Sequence, residues 1–548
     1  MKQMQWKPWL GWGLIIALVL NSQHAHAQYS ADFQTNVISG ITSNWPGVYF
    51  VGLTNFADAL VIQNGGVLSN GTGYLGYNSA SSNNIAFVTG PGSVWSNRAD
   101  LYIGQNGSGN SLVISNGGQV VSGPGGQGLD LVGETASSSN NSVAVTGPGS
   151  AWVENQSRFL FGNYGAQNTL LINNGGLFAV GGACLVGFND ASGSNSLLVT
   201  DTGSIWSNSG TLAFGYNGRY NSLVISNGGM VVDSLGYVYS SSGITSNTVL
   251  VTGSGSVWNN SGTLVVGQGK GSGNSLVIQN GGLVICSNAV LLSTSNLVLV
   301  TGSTWSNRGD LYLGSAGTGN SLVISNSGQV VNGTCYVGDN AAIGGSNSVR
   351  VAGGFGLLKT AWGNDILYVG YLGSGNSVVI TGGSVSATNV VVGAASATCD
   401  NVLELDGGSL VVTNATGTGV LDVRNGEFIF TGGVLQADTL VLTNPCAQFV
   451  HTGGTLIVGN VVLDPNFFRI TSITRQGNDL LVAWMMAPGI TNTLQAVNGE
   501  VDGSYTTNGF TDVFVVTNNA TLGAVTNYLD VGATTNVPAR YYRARLVP

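Results

Sequence analysis

The fold is decided by the nine residues NSLVISNGG at 110–118, because near-copies of them recur along most of the chain. They return as NTLLINNGG at 168–176, as NSLVISNGG at 221–229 and as NSLVIQNGG at 274–282. A related phrase, such as NSVAVTGPGS at 141–150, lies between successive copies, so that the interval is mostly 26 or 27 residues. A repeat this short cannot bury its own apolar face, and it must therefore stack on its neighbours.

Each repeat contains three short runs of β-forming residues separated by bends that contain glycine. In the first run, the third apolar residue is always Val or Ile, whereas the middle residue is charged at Arg350 and Glu404. A charge inside the stack would be costly, so we expect the first and third apolar residues to face inward and the middle residue to face solvent.

The same alternation places the asparagine that begins each repeat on the inner side. Stacked asparagines can hydrogen-bond through their side-chain amides, so we expect a buried ladder that supports one register. The twelve leading asparagines are Asn84, Asn110, Asn141, Asn168, Asn195, Asn221, Asn247, Asn274, Asn296, Asn320, Asn347 and Asn376.

The chain divides into four predicted segments. Residues 1–27 combine Lys2 and Lys7, an apolar stretch and an Ala-His-Ala site, which indicates an export signal. Residues 28–57 are a candidate N-terminal cap, residues 58–465 are predicted to form a parallel β-helix of about 15–16 coils, and residues 467–548 to form a small antiparallel β-sandwich. The all-β fold class follows from the absence of any helical period in the repeats.

Composition limits the partners. Removal of Lys2 and Lys7 with the signal would take the formal charge from −9 to −11, which disfavours nucleic acid as a partner. No second long apolar run exists, so we expect no transmembrane span in the mature chain. Cys184 and Cys335 stand where other copies have Leu, so they are interpreted as small core residues, and we do not expect the five cysteines to form a disulfide scaffold.

Six tryptophans recur in the second run, at intervals of about two coils. The small apolar residue of that run, Val94 or Val257 for example, is expected to point inward, which turns the tryptophans outward. An outward row of indoles suits alternate sugars of an extended glycan; alternatively, each indole lies flat over the neighbouring coil and shields a bend. The candidate glycan-binding residues are Trp95, Trp152, Trp206, Trp258, Trp305 and Trp362.

An outward stripe of apolar side chains is also predicted in the first run, and it would support lateral self-association. The stripe comprises Val113, Leu171, Val224, Val277, Val323 and Val379.

The segment VTGPGSVWSNRADLYIGQNGSGNSLVISNGGQVV at 88–121 resembles the repeats of bacterial autotransporter passengers and exosortase-sorted surface proteins. The shared elements are Gly-Ser-x-Trp, a Leu-x-x-Gly motif and Gly-x-Gly-Asn-x-Leu-x-Ile-x-x-Gly-Gly, and the resemblance covers most of 58–400. It implies a right-handed parallel β-helix displayed outside a bacterial cell, without catalytic residues. The C-terminal segment resembles a fibronectin type III-like module through LLVAWMMAP and RYYRARLV.

The sequence contains few candidates for catalytic or metal-binding residues. His451 is the one histidine of the chain after residues 1–27, and the calcium-type nonapeptide GGQGLDLVG occurs once where tandem copies are needed. Glu404 and Asp406 are expected on a solvated outer face. The sequence therefore predicts no catalytic residue, metal ion or cofactor. It predicts an exported, non-enzymatic structural or adhesive scaffold, with a polysaccharide-binding or polysaccharide-cleaving β-helix as the alternative.

Overall fold

The computed structural model describes residues 29, 31–123, 128–239, 246–353, 359–464, 468–486, 491–517, 524–535 and 537–547. In these residues the chain is all-β and contains no helix: a parallel β-solenoid of about 15 turns is followed by small antiparallel sheets. The fold class predicted from the repeat is therefore confirmed. The predicted export signal at 1–27 lies outside the described residues, and the part that is described holds no helix with the length and apolarity of a membrane crossing.

Each coil contributes one strand to each of three faces. The strands of the first face are Thr35–Ser39, Ala59–Gln63, Ile85–Thr89, Ser111–Ser115, Ser142–Thr146, Thr169–Asn173, Ser196–Thr200, Ser222–Ser226, Thr248–Thr252, Ser275–Gln279, Leu297–Thr301, Ser321–Ser325, Ser348–Val351 and Gln448–His451. Those of the second face are Thr42–Asn44, Val67–Asn70, Val94–Asn97, Gln119–Ser122, Ala151–Glu154, Leu177–Val180, Ile205–Asn208, Met230–Asp233, Val257–Asn260, Leu283–Cys286, Thr304–Asn307, Gln329–Val331 and Ala361–Gly363.

The third face completes each coil. Its strands are Tyr49–Val51, Gly73–Leu75, Leu101–Ile103, Leu129–Val132, Arg158–Phe161, Ala183–Val186, Thr211–Phe214, Leu235–Val238, Thr263–Val266, Asn288–Leu291, Leu311–Leu313, Thr334–Val337, Ile366–Val369, Asn389–Val392 and Val420–Val423. Near the C-terminal end, longer strands run continuously from one face to the next: Ser377–Ala387, Asn401–Val412, Gly426–Leu442 and Thr455–Leu463.

The first face keeps a single register. Ser111–Ser115 pairs residue for residue with Ile85–Thr89 on one side and with Ser142–Thr146 on the other. Leu112 and Ile114 are fully buried, while Val113 between them faces outward. This is the predicted alternation, and the exposed side chain of Arg350 occupies the same outward column as Val113. The inward residues of all coils belong to one continuous core.

The stretch predicted as an N-terminal cap contains strands. Thr35–Ser39 pairs in parallel with Ala59–Gln63, and Tyr49–Val51 pairs with Gly73–Leu75. Residues 35–51 thus form the first coil, before the point at which the repeat is recognisable in the sequence.

The C-terminal segment forms two three-stranded antiparallel sheets. One contains Ile470–Gln476, Asp479–Met485 and Val525–Asp530, and the other Thr491–Gly499, Thr511–Thr517 and Ala539–Val547. Both sheets contribute to one small core around the buried Trp484.

Candidate functional site

The leading asparagines form a buried column at the corner before the first face. The backbone N–H of each donates to the side-chain oxygen of the asparagine one coil later, at 2.9–3.3 Å from Asp58 to Asn401. In most steps the Nδ2 group donates to the same oxygen, as from Asn195 to Asn221 at 2.9 Å. The asparagine ladder therefore joins the coils in the interior independently of the sheets.

A glycine follows most third-face strands and makes room for this ladder, although Tyr239, Leu292 and Arg424 stand in that place in three coils. Gly104 has a φ of +72°, and a Cβ added there would collide with the side chain of Asn141. Gly76 stands in the same relation to Asn110. The glycine of the Leu-x-x-Gly motif is therefore required both by backbone conformation and by the passing asparagine.

The six tryptophans face inward, and the expected outward row is wrong. All six side chains are 0% exposed. Trp95 pairs in register with Val120, which in turn pairs with Trp152, so that the indoles lie in one interior column with smaller residues. The error arises in the bend: TGPGS at 89–93 holds one residue more than SNGG at 115–118. An inward or outward assignment that is counted from the leading asparagine is therefore displaced by one residue after this bend, and the side chains expected to face outward face inward.

This tryptophan column alternates indoles with smaller side chains through most of the solenoid. Its members from the third coil onward are Trp95, Val120, Trp152, Phe178, Trp206, Val231, Trp258, Val284, Trp305, Val330, Trp362 and Val385. Since none of these indoles reaches the surface, they cannot stack on a sugar from outside.

A second polar column accepts hydrogen bonds from the indoles. It lies two residues after the tryptophan column on the same strands. Nε1 of Trp258 donates to Asp233 at 2.8 Å, and Nε1 of Trp362 donates to Asn332 at 2.9 Å. Trp206 has no partner for its Nε1 because Val180 occupies the corresponding place in the preceding coil.

Three carboxyl groups are buried in this part of the interior. Burial raises the pKa of Asp233 to about 7, although the hydrogen bond from Trp258 acts in the opposite direction. Burial, reinforced by the nearby Asp130, raises the pKa of Glu154 to about 8. Burial also raises the pKa of Asp130 to about 7, although that carboxyl accepts hydrogen bonds from the Ser122 hydroxyl and the Leu101 N–H. These groups are enclosed by the coils, so they are core residues rather than an accessible acid–base pair.

The outward side of the first face is a regular surface without charged residues over most of its length. Most strands present a hydroxyl or other polar residue, an apolar residue and a second polar residue, as in Ser222, Val224 and Ser226. In three strands the first outward residue is apolar instead: Ala59, Ile85 and Leu297. No charged residue occurs in the twelve successive strands from Thr35–Ser39 to Ser321–Ser325. Many hydroxyls bond one another along the columns, for example Ser226 to Thr200 at 3.0 Å. All members of the predicted apolar stripe lie on this face.

Half-buried tyrosines form short stacks on the third face, and these stacks were not predicted from the sequence. The ring centroids of Tyr336 lie 4.9 Å from Tyr312 and 5.3 Å from Tyr368, with interplanar angles of 4° and 12°. Both ring faces of Tyr336 are thus covered by neighbours. The signal for this stack was the tyrosine of LYLG, CYVG and LYVG in successive copies.

The cysteines are divided between two roles. Cys184, Cys286 and Cys335 are free and buried, as expected. Cys399 and Cys446 form a disulfide with a Cα–Cα distance of 5.6 Å, which the sequence did not lead us to expect. The two cysteines lie in the loops that precede Asn401–Val412 and Gln448–His451, and the stacking of the coils brings those loops together.

The remaining chemical candidates are dispersed. Glu404 faces outward in the column of Val379, and Asp406 is exposed and accepts a hydrogen bond from Thr431 at 2.7 Å. His451 stacks on Phe430, with ring centroids 4.7 Å apart. Among the described residues, no group of three or more His, Cys, Asp and Glu side chains is placed to hold a metal ion.

Comparison with known proteins adds little to this description. No family model and no curated protein matches the chain. A solved structure described as "TibC-catalyzed hyper-glycosylated TibA55-350 fragment" is similar, with 14% sequence identity and a TM-score of 0.28. The match covers 72% of this chain and 96% of that one. A similarity of this size carries no conclusion about activity or partners.

Proposed function

We propose that this chain is an exported, non-enzymatic scaffold that acts outside a bacterial cell and associates laterally with its own copies through the first face. The observation that carries the proposal is the uncharged outward surface of twelve successive first-face strands. Large uncharged surfaces that are rich in apolar side chains are typical of interaction sites.

The dimensions of the first face fit a protein partner. Twelve strands spaced about 4.8 Å apart, each five residues long, give a surface of about 50 Å by 16 Å. That corresponds to about 800 Å² for each partner, which is the usual size of a specific protein interface. A second copy supplies a surface with the same spacing.

The hydroxyl columns favour this use because several of their hydroxyls are already paired with one another. Ser142 donates to Ser111 at 2.9 Å, and Ser115 donates to Thr89 at 2.9 Å. Covering a hydroxyl that keeps its partner avoids most of the cost of burying an unpaired polar group. Charges reappear at Arg350 and Glu404, where the face approaches the C-terminal end of the solenoid.

Export is supported by two features. The first 27 residues have the composition of a signal peptide. The disulfide between Cys399 and Cys446 is of the kind that persists in oxidising compartments outside the cytosol. The alternative of glycan binding along the tryptophans loses its support because those side chains are buried.

Lateral association is tested by placing a charge on the first face. Val224→Lys adds a cation to the middle of the face, and Val232→Lys adds the same cation to the outward side of the second face in the same coil. We expect sedimentation equilibrium to show concentration-dependent association of the wild-type protein and of Val232→Lys, and its loss in Val224→Lys. A wild-type protein that stays monomeric, or equal effects of the two substitutions, would contradict the proposal. A glycan array with the wild-type protein tests the alternative.

A further inference from the structure

The bend between the first and second faces contains a chemically sensitive dipeptide in several coils. Five of these bends hold an Asn–Gly pair, and in three of them, Asn116–Gly117, Asn174–Gly175 and Asn227–Gly228, the pair contacts a serine of the following coil and a threonine of the preceding coil. These three asparagines are exposed, with a φ of about +50°. In an Asn–Gly pair, the glycine amide nitrogen can attack the asparagine Cγ. A C–N bond forms, the amide proton leaves with the side-chain NH₂ as ammonia, and a succinimide ring remains. Water then opens the ring to aspartate or isoaspartate.

In this molecule the attacking nitrogen is held by the next coil. The N–H of Gly228 donates to Oγ of Ser256 at 3.0 Å. The Ser256 hydroxyl is fully buried and itself donates to the carbonyl of Thr252 at 2.8 Å, which directs a lone pair of the oxygen towards Gly228.

The side chain under attack is held by the preceding coil. Nδ2 of Asn227 donates to Oγ1 of Thr200 at 3.2 Å. Ring closure requires the Asn227 carboxamide to leave Thr200 and the Gly228 nitrogen to lose the proton that it shares with Ser256. The two hydrogen bonds therefore oppose both requirements of the reaction.

The same arrangement recurs in the other two bends. Gly117 donates to Ser150 and Gly175 donates to Ser204, each at 3.0 Å. Asn116 and Asn174 are bonded to threonines of the preceding coil in the same way, with Thr89 at 3.3 Å and Thr146 at 3.4 Å.

A fourth bend shows that threonine can replace the serine. There the dipeptide is Asn326–Ser327, and the Ser327 N–H donates to Oγ1 of Thr360 at 3.1 Å. The hydroxyl, rather than serine itself, is the common element.

We propose that Asn116, Asn174 and Asn227 are latent deamidation sites, and that the buried serine of the following coil suppresses their conversion. Each stacked coil thereby protects the bend of the coil before it. The uncharged state of this edge of the first face depends on that protection, since each conversion would add one negative charge.

The test uses the full-length protein with Ser256→Ala and, as the matched control, Ser256→Thr. Samples are aged at mildly alkaline pH, digested and analysed by mass spectrometry for conversion of each asparagine. Asn116 lies in the same SNGG context as Asn227 and serves as a reference within the same molecule. We expect Ser256→Ala to raise the rate at Asn227 about fivefold, as for the loss of one hydrogen bond of ordinary net strength, and to leave Asn116 unchanged. Ser256→Thr should match the wild type.

Three results would overturn the proposal. One is an unchanged rate at Asn227 in Ser256→Ala. Another is equal acceleration at Asn116 and Asn227, which would assign the effect to loss of the fold rather than to the serine. Conversion of all three sites in the wild-type protein as fast as that of Asn508, which precedes a glycine in an exposed turn of the C-terminal segment, would also refute it.

Discussion

The side-chain oxygen of Asn110 accepts two hydrogen bonds from Asn84, one from the backbone N–H at 3.0 Å and one from Nδ2 at 2.9 Å. One acceptor thus fixes both the main chain and the side chain of the coil before it. The ladder begins at Asp58 and ends at Asn401, whose Nδ2 has no partner because the next coil has Gly426 at that position.

Removing one asparagine from the middle of the ladder should be strongly destabilising. Asn195→Ala leaves the backbone N–H of Asn168 without its acceptor and leaves Nδ2 of Asn168 with only the carbonyl of Gly165. We expect the free energy of unfolding to fall by roughly 1–3 kcal/mol for each buried group left unpaired. Urea denaturation measures this loss. Ser196→Ala, on the outward side of the same strand, should change it by less than about 0.5 kcal/mol; equal losses would show that the ladder is not a stabilising element.

The stability cost of replacing a glycine behind the ladder has two parts, one from the backbone conformation and one from the steric clash with the asparagine. Gly417 has a φ of +69° and open space around it, whereas Gly104 has a φ of +72° and the side chain of Asn141 in the way. Gly417→Ala should cost about 1–2 kcal/mol for the left-handed backbone alone. Gly104→Ala should cost at least about 2 kcal/mol more, because the asparagine must move. Similar midpoints for the two variants in urea would argue against the steric part.

Trp206 and Trp258 lie in the same interior column but differ in their hydrogen bonding. Nε1 of Trp258 donates to Asp233, whereas Nε1 of Trp206 has no partner. Trp258→Phe should therefore lose about 1 kcal/mol more stability than Trp206→Phe, since it also deprives a buried acceptor of its donor. Adding Asp233→Val, which copies the valine at 180, should abolish the difference. A larger loss for Trp206→Phe would refute the assignment.

Stability should depend on pH through Asp233. Burial raises the pKa of its carboxyl to about 7 in the folded chain, from 3.8 in the unfolded chain. The folded state therefore holds more protons between these values, so stability is greatest at low pH and falls as the pH rises from about 4 to about 7. Asp233→Asn should reduce this slope, while Glu154 and Asp130 maintain the remainder in the same direction. The converse change, Asn332→Asp below Trp362, should steepen it. Urea titrations across this pH range measure both; a stability that rises over the range would contradict the assignment.

The disulfide should stabilise the C-terminal coils. The bond joins residues separated by 47 positions, and cross-linking a loop of that length stabilises the folded state by up to about 4 kcal/mol in the chain-entropy model. Cys399→Ser with Cys446→Ser should speed hydrogen exchange in the strands Asn401–Val412 and Gly426–Leu442 and leave the first coils unchanged. A reductant should reproduce the effect in the wild-type protein. Protection that is unaltered in both experiments would show that the bond contributes nothing.

The sequence by itself determined the stack, the inner side of the first face and the asparagine column. A recurrent Asn, a constant Val or Ile and a tolerant middle position are local signals, because side chains alternate strictly along one strand. The outward residues of the first face could be predicted from the same alternation, because the charged Arg350 must lie on the solvent side of its strand.

Only the tertiary structure decided the orientation of the tryptophans and the pairing of Cys399 with Cys446. Both depend on the bends. One extra residue before Val94 shifts the strand by a single position and turns Trp95 inward, and the loops that carry the two cysteines approach each other only once the coils are stacked. The physical reason is that side chains alternate strictly between the two faces of a strand, so one known residue determines the others. A bend, by contrast, can differ in length by one residue at little cost in free energy, and its length then decides which side chains of the next strand face the core.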